Sequence, residues 1–114
     1  GYNEAGPVFR FGDVRVDLAG RTVVRAGELV RLTPVEFKLL AELVCGEGRI
    51  LTQTQLLRDV WGPSHVGHSH YLRIFLARLR RKLEDNPSEP RHLLTEIGVG
   101  YRCLCEREGS SEPD

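Results

Sequence analysis

The run Tyr71 to Glu84, YLRIFLARLRRKLE, decides the fold. Leu72, Leu76, Leu79 and Leu83 recur at i, i+4, i+7 and i+11, which at about 100° per residue gives a helix one narrow apolar stripe. That stripe is expected to face a core. On the same helical wheel His70, Ile74, Ala77, Arg78 and Arg81 lie roughly opposite it, with Arg73 and Arg80 on one flank and Phe75 and Lys82 on the other. Between His68 and Lys82 stand five cations, Arg73, Arg78, Arg80, Arg81 and Lys82, and no acid. Unpaired burial of such charges costs several kcal/mol each, so they are expected to face solvent or an anion. Arginine forks suit phosphate oxygens and the guanine edge of a major groove, and the small Ala77 lets a helix approach the bases.

Upstream, Gly62-Pro63-Ser64-His65-Val66-Gly67 cannot continue a helix, and Ser69 is read as the cap of the basic helix. Before it, Thr52-Gln53-Thr54-Gln55 has a capping-box pattern and opens a helix carrying Leu56, Leu57, Val60 and Trp61. Ile50 and Leu51 suggest a very short strand just ahead of it. Thr33-Pro34-Val35-Glu36 predicts another helix start: a threonine N-cap, proline at the first helical position and a glutamate placed to reach back. Phe37, Leu40, Ala41 and Val44 share a face of that helix, and Gly46-Glu47-Gly48 ends it. Ahead of it come four short β-type runs: Phe9 and Phe11; Val14, Val16 and Leu18; Val23 and Val24; Leu29 and Val30. Turn signals at Gly12-Asp13, Ala19-Gly20-Arg21 and Ala26-Gly27-Glu28 leave room only for antiparallel hairpins. Downstream, Leu93 to Glu96 reads as a strand, Gly98-Val99-Gly100 as a tight turn and Tyr101 to Cys105 as the return strand.

The predicted fold class is therefore α+β, with an N-terminal four-stranded antiparallel sheet, three helices and a C-terminal β-hairpin. A short helix, a turn and a basic helix of about 14 residues fit helix-turn-helix docking on DNA, and a hairpin behind them can act as a wing. Residues 1–7 read as a flexible linker, 8–105 as the domain and 106–114 (EREGSSEPD) as a flexible polar tail.

The 114 residues and 40% apolar content suffice for one core without a disulfide or metal staple. Formal net charge is zero, so the whole-chain balance names no partner; residues 1 to 50 hold seven basic and seven acidic side chains, against the acid-free helix. Three cysteines are an odd count, and Cys103 and Cys105, two apart in a strand, are badly placed to bond each other. A reduced, cytoplasmic setting fits this usage. No run approaches the roughly 20 apolar residues of a membrane span.

Leu32-Thr33-Pro34-Val35-Glu36-Phe37-Lys38-Leu39-Leu40, Leu56-Leu57-Arg58-Asp59-Val60-Trp61-Gly62, Leu79-Arg80-Arg81-Lys82-Leu83 and Gly98-Val99-Gly100-Tyr101-Arg102 occur in the order seen in the OmpR/PhoB class of bacterial response regulators. Together they resemble its winged helix-turn-helix effector domain over about residues 8 to 104. His70 to Ile74, Arg80 to Glu84 and Arg91 to Glu96 most resemble those class members that control potassium-transport operons. The resemblance implies sequence-specific binding of double-stranded DNA, with Tyr71 to Glu84 as recognition helix. His70, Tyr71, Arg73, Ile74, Arg78, Arg80 and Arg81 are then the expected contacts, Arg78 to a base and Arg80 to phosphate. Trp61 matches a position that donates to a DNA phosphate, or is an ordinary core aromatic. Thr95, Gly98, Gly100, Tyr101 and Arg102 match the wing. Where many members carry arginine this chain has Gln53 and Ile97; both departures remove a cation and leave Arg102 as the possible substitute. Taken as isolated residues, Gly98 and Gly100 read as turn positions needing positive φ.

The class further implies an RNA polymerase contact through the 62–67 loop and a receiver domain acted on by a sensor kinase. Too few residues precede Val8 to hold a receiver, so the chain reads as a piece of a longer protein. The isolated domain is expected to be monomeric and the intact protein to sit in tandem on direct repeats.

His65, His68 and His70, with His92 apart from them, have no metal-ligand spacing, so no metal is expected. No Gly-rich phosphate loop, G-x-S-x-G or catalytic carboxylate pair is present, so neither an enzyme nor a cofactor is expected. The alternative is a winged-helix module whose basic helix binds an acidic protein.

Overall fold

The computed structural model describes residues 7–109. Strands β1 (Val8–Phe11), β2 (Val14–Asp17), β3 (Thr22–Arg25) and β4 (Glu28–Leu29) precede helix α1 (Pro34–Cys45). Strand β5 (Leu51–Thr52), helix α2 (Gln53–Trp61), a 3-10 turn at Pro63–His65 and helix α3 (Ser69–Leu83) follow. Strands β6 (Leu93–Glu96), β7 (Gly100–Cys103) and β8 (Glu106–Glu108) complete the described chain.

All strand pairs are antiparallel, in two sheets: β4-β3-β2-β1-β8 and β5-β7-β6. The first corrects the expectation of four strands and of a flexible tail from residue 106. β8 buries nothing, so polar composition hid it; its backbone pairs with β1, and Glu108 draws in Arg15 (Nη2 to Oε1, 3.0 Å) and Arg10 (Nη1 to Oε2, 3.4 Å). Pro7 belongs to the structured chain too, accepting from Leu18 N–H at 3.2 Å. The remainder of the expected linker, 1–6, and of the tail, 110–114, lies outside the described residues. The second sheet makes the wing more than a hairpin, since β5 joins β7 with Leu51 opposite Tyr101 and Thr52 opposite Gly100.

One core joins these layers: Phe9, Phe11, Val14, Val16 and Val23 from the first sheet; Leu39, Leu40, Leu43 and Val44 from α1; Leu56, Leu57 and Val60 from α2. The α3 stripe is wholly inside it, Leu72, Leu76 and Leu79 at 0% exposure and Leu83 at 2%. The start of α1 is as read. Thr33 Oγ1 accepts from Glu36 N–H at 3.2 Å, and Glu36 Oε1 accepts from Thr33 N–H at 2.9 Å. At α2 only half of the predicted box is seen, Thr52 Oγ1 accepting from Gln55 N–H at 3.1 Å. α3 begins two residues earlier than read: His68 is its N-cap, without a side-chain hydrogen bond, and Ser69 lies inside the helix rather than capping it.

Glu36 does a second job that the sequence hid. Buried at 2% exposure, its Oε1 accepts from Lys82 Nζ at 2.7 Å, tying α1 to the end of α3. Burial pushes this carboxyl up, but the Lys82 and Thr33 hydrogen bonds, with the fields of Lys82 and Arg78, outweigh it and hold Glu36 below its ordinary range. A lowered folded-state pKa contributes stability above the unfolded pKa, and that contribution is lost as pH falls through the folded value. Glutamine keeps the capping geometry and removes only the charge. Glu36→Gln is therefore expected to destabilise most near neutrality and progressively less below about pH 4. Urea melts across pH check this, and a cost independent of pH contradicts it.

Candidate nucleic-acid interface

The five cations of α3 divide into two groups. Arg80 and Lys82 turn inward. Arg80 donates from Nε to Leu93 O at 2.9 Å and from Nη2 to Thr95 Oγ1 at 2.8 Å, clamping the helix to strand β6. Burial lowers its pKa, against the fields of Tyr101 and Glu84. In this structure the guanidinium expected on phosphate is thus engaged with its own chain. Lys82 Nζ is held by Glu36 and by Arg31 O at 2.9 Å. Arg73, Arg78 and Arg81 are exposed and have no ion-pair partner among the described residues. Arg78 lies with its guanidinium carbon 4.6 Å from the Phe75 ring centroid, a cation–π contact that supports an outward side chain.

Around these arginines the helix surface is open. His70 and Ala77 are exposed, and Ile74 is 46% exposed, so a large planar partner meets few bulky obstacles at the centre of the face. Three cations without carboxylates on one helix face form a field suited to a polyanion.

Trp61 sits half-buried at the end of α2, its ring 5.5 Å from Tyr71 and 5.4 Å from Phe75. It packs against the core, and among the described residues its indole N–H has no hydrogen-bond partner. Tyr71 is half-buried and enclosed by Trp61 and the rings of His65, His68 and His70, so it supports the helix start more than it presents itself.

The wing departs further from expectation. Ile97 is 92% exposed and Val99 49%, so the tip between β6 and β7 is apolar. Arg102 does not replace the missing cation: its Nε lies 2.9 Å from Glu96 Oε2, although this Nε–H has no acceptor in hydrogen-bond geometry. Thr95, exposed on β6, is the residue that Arg80 holds. Tyr101 is 5% exposed and belongs to the core. Gly98 has the positive φ expected, +79°. Gly100 is glycine for a different reason: a Cβ there would lie 1.9 Å from Leu51 O, so it lets β5 approach β7.

Gln53 lacks the cation but serves the wing through its backbone, N–H donating to Val99 O at 3.2 Å. Glu84 and Arg25, which no motif or periodicity singles out, position α3 from below. Glu84 is 3% exposed, with carboxylate oxygens accepting from the N–H of Arg91 (2.9 Å), His92 (2.9 Å) and Leu93 (2.7 Å). Arg25 reaches from β3 to Lys82 O at 3.2 Å and Asp85 Oδ1 at 2.7 Å, a cation at the C-terminal end of α3 where the helix dipole favours it. Among the described residues no cluster of three or more His, Cys, Asp or Glu side chains could hold a metal ion, and no helix is long and apolar enough to cross a membrane.

The family model described as "Transcriptional regulatory protein, C terminal" matches residues 27–103. The KDP operon transcriptional regulatory protein KdpE of Escherichia coli (strain K12) is 57% identical over 98 residues, covering 86% of this chain and 44% of that protein. KdpE of Mycobacterium tuberculosis (strain ATCC 25618 / H37Rv) is 50% identical over 96 residues, 84% of this chain and 42% of that protein. The chain thus spans less than half the length of these curated relatives. Among solved structures, the Klebsiella pneumoniae RstA DNA-binding domain in complex with RstA box has a TM-score of 0.75 at 32% identity, covering 84% of this chain and 95% of that one. The DNA binding domain of CpxR from E. coli shares the fold, with a TM-score of 0.74 at 24% identity over 86% of this chain and 96% of that one.

Proposed function

The chain belongs to the family of transcriptional regulatory protein C-terminal domains, and from that premise we propose that it is the DNA-binding effector domain of a two-component response regulator. It reads a specific duplex by inserting the outer face of α3 into the major groove. The observation that carries this reading is the group Arg73, Arg78 and Arg81, exposed on one helix and without carboxylate partners among the described residues. Arg78, central and braced by Phe75, is the base-reading residue. Arg73 and Arg81 take phosphates, with the Trp61 indole N–H as a further donor. His70 and Ile74 border the bases, and the wing, Thr95 to Arg102, lies along the adjoining groove. Arg80 acts by holding that wing at a fixed angle to α3.

The similarity to the KdpE proteins supports control of a potassium-transport operon. In the full-length protein a receiver domain phosphorylated through its sensor kinase sets two effector domains in tandem on direct repeats in the bacterial cytoplasm. The 62–67 loop meets RNA polymerase, and the isolated domain is monomeric.

Arg78→Ala is expected to weaken binding to a cognate duplex by about 1–3 kcal/mol and to blur base preference at one position. Gel shifts with the parent and variant on cognate and scrambled duplexes test this. Equal affinity of the two proteins for the cognate duplex would remove Arg78 from the interface.

A further inference from the structure

All three cysteines of the chain gather where the end of α1 meets the link between β7 and β8. Cys45 is the exposed last residue of α1, Cys103 ends β7 fully buried, and Cys105 lies half-buried in the link to β8. Cys105 Sγ stands 3.6 Å from Val44 O. That carbonyl oxygen is about 2.8 Å from the Cα of Cys45 across the planar peptide. Cys105 sulfur is therefore within about 6.5 Å of the Cys45 Cα, so the two cysteines are neighbours, and closing a bond between them takes a movement of the Cys45 side chain and the end of α1 toward Cys105. Cys105 also lines an open cavity of ≈ 630 Å³ with Arg10, Phe11, Glu47 and His92 on its walls, so a small oxidant has a path to it.

We propose that Cys105 and Cys45 form a hydroperoxide-sensitive thiol pair that closes into an intramolecular disulfide. Cys105 thiolate attacks the distal oxygen of the hydroperoxide, giving Cys105 sulfenic acid and releasing the alkoxide, which is protonated to the alcohol. Cys45 thiol then attacks that sulfur, forming the S–S bond and expelling water. Two thiols are oxidised and one hydroperoxide is reduced to alcohol and water. The order follows from the surroundings. The neighbouring Cys103 thiol lowers the Cys105 pKa against the cost of burial, while burial and the nearby Glu42 push Cys45 up. Cys105 therefore attacks, and Cys45 resolves. The bond links the end of α1 to the segment that leads into β8.

Reaction of the 114-residue chain with stoichiometric hydrogen peroxide, followed by thiol titration, intact mass and mapping of unreduced peptides, tests the proposal. The expected result is loss of two thiols and two hydrogens per monomer, a linked Cys45–Cys105 peptide, and full reversal by dithiothreitol. Cys45→Ser should leave a sulfenic acid on Cys105 that a cyclic dione traps, and Cys105→Ser should abolish both products while Cys45 stays reduced. Because Cys45 is exposed, Cys45→Ser is expected to fold, and this keeps the trapping result decisive. A disulfide between Cys103 and Cys105, one formed only between two molecules, or thiol loss no faster than that of free cysteine would overturn the proposal.

Discussion

Glu84→Ala is expected to lower the stability of the domain by about 3–5 kcal/mol, a large part of the total for a protein of this size. The reason lies in three backbone N–H groups rather than in the carboxylate itself. Arg91, His92 and Leu93 enter β6 just after a loop containing two prolines, and no strand pairs with them at that point except through Leu93. Their N–H groups end on the two oxygens of Glu84 at 2.7–2.9 Å. Removing the carboxylate strands the Leu93 donor in a buried place and those of Arg91 and His92 in partly buried ones, at about 1–3 kcal/mol for a fully buried donor and less where water reaches it, and it leaves the neighbouring chain without its anchor. It also removes the acceptor that orients the chain from α3 into β6. Urea denaturation with far-ultraviolet circular dichroism measures the loss. A cost under about 1 kcal/mol would mean that water or a shifted loop replaces the carboxylate.

Gly100→Ala is expected to be comparably severe, at about 3 kcal/mol or more, because the new methyl group has nowhere to go. It would lie 1.9 Å from Leu51 O, 2.8 Å from Leu51 C and 2.9 Å from Thr52 Cα, all backbone atoms of β5. Relief requires separating β5 from β7, and Thr52 is the N-cap of α2. The damage should therefore reach the helix-turn-helix unit and reduce DNA affinity together with stability. Gly98→Ala is the internal control: its φ is +79° but nothing lies within 4 Å of the added carbon, so the cost is about 1–2 kcal/mol of backbone strain. Thermal melts of both variants, with duplex binding measured below the transition, separate the two mechanisms. If Gly98→Ala proves the more damaging, close approach is not what selects glycine at position 100.

What the sequence showed plainly was local. The Thr33–Glu36 box, the Leu72-Leu76-Leu79-Leu83 stripe and the glycine at position 98 each depend on neighbours a few residues away, and each stands as read. What it did not show depends on partners far along the chain. Lys82 counted as an outward cation until Glu36, 46 residues earlier, was found beneath it. Arg80 was read as a phosphate ligand because its bond to Thr95, 15 residues later, follows from the angle between α3 and β6. β8 is a polar stretch whose backbone pairs with β1, more than 90 residues before it, with Glu108 beside Arg10 and Arg15. Gly100 exposes a different limit, since a glycine required by contact and one required by φ look the same in a sequence.

These corrections narrow the site instead of removing it. Two of the five α3 cations fasten the helix to its supports, and Arg102 is occupied with Glu96 at the wing. The cations of α3 left exposed and without ion-pair partners among the described residues are Arg73, Arg78 and Arg81, and in the proposed reading these carry the recognition, beside an apolar wing tip at Ile97. A rigid helix carrying a small set of uncompensated arginines is suited to base discrimination, because the groups that hold it are not the groups that read.

The most direct test is selection from a random duplex pool by the 114-residue chain, run beside a variant with Arg73, Arg78 and Arg81 all changed to alanine and shown to melt like the parent. The expected result is enrichment of one motif by the parent, binding that weakens steeply with salt, and no enrichment by the variant. Enrichment of the same motif with equal affinity by both proteins, or of none by the parent, would contradict the assignment of α3 as the reading surface.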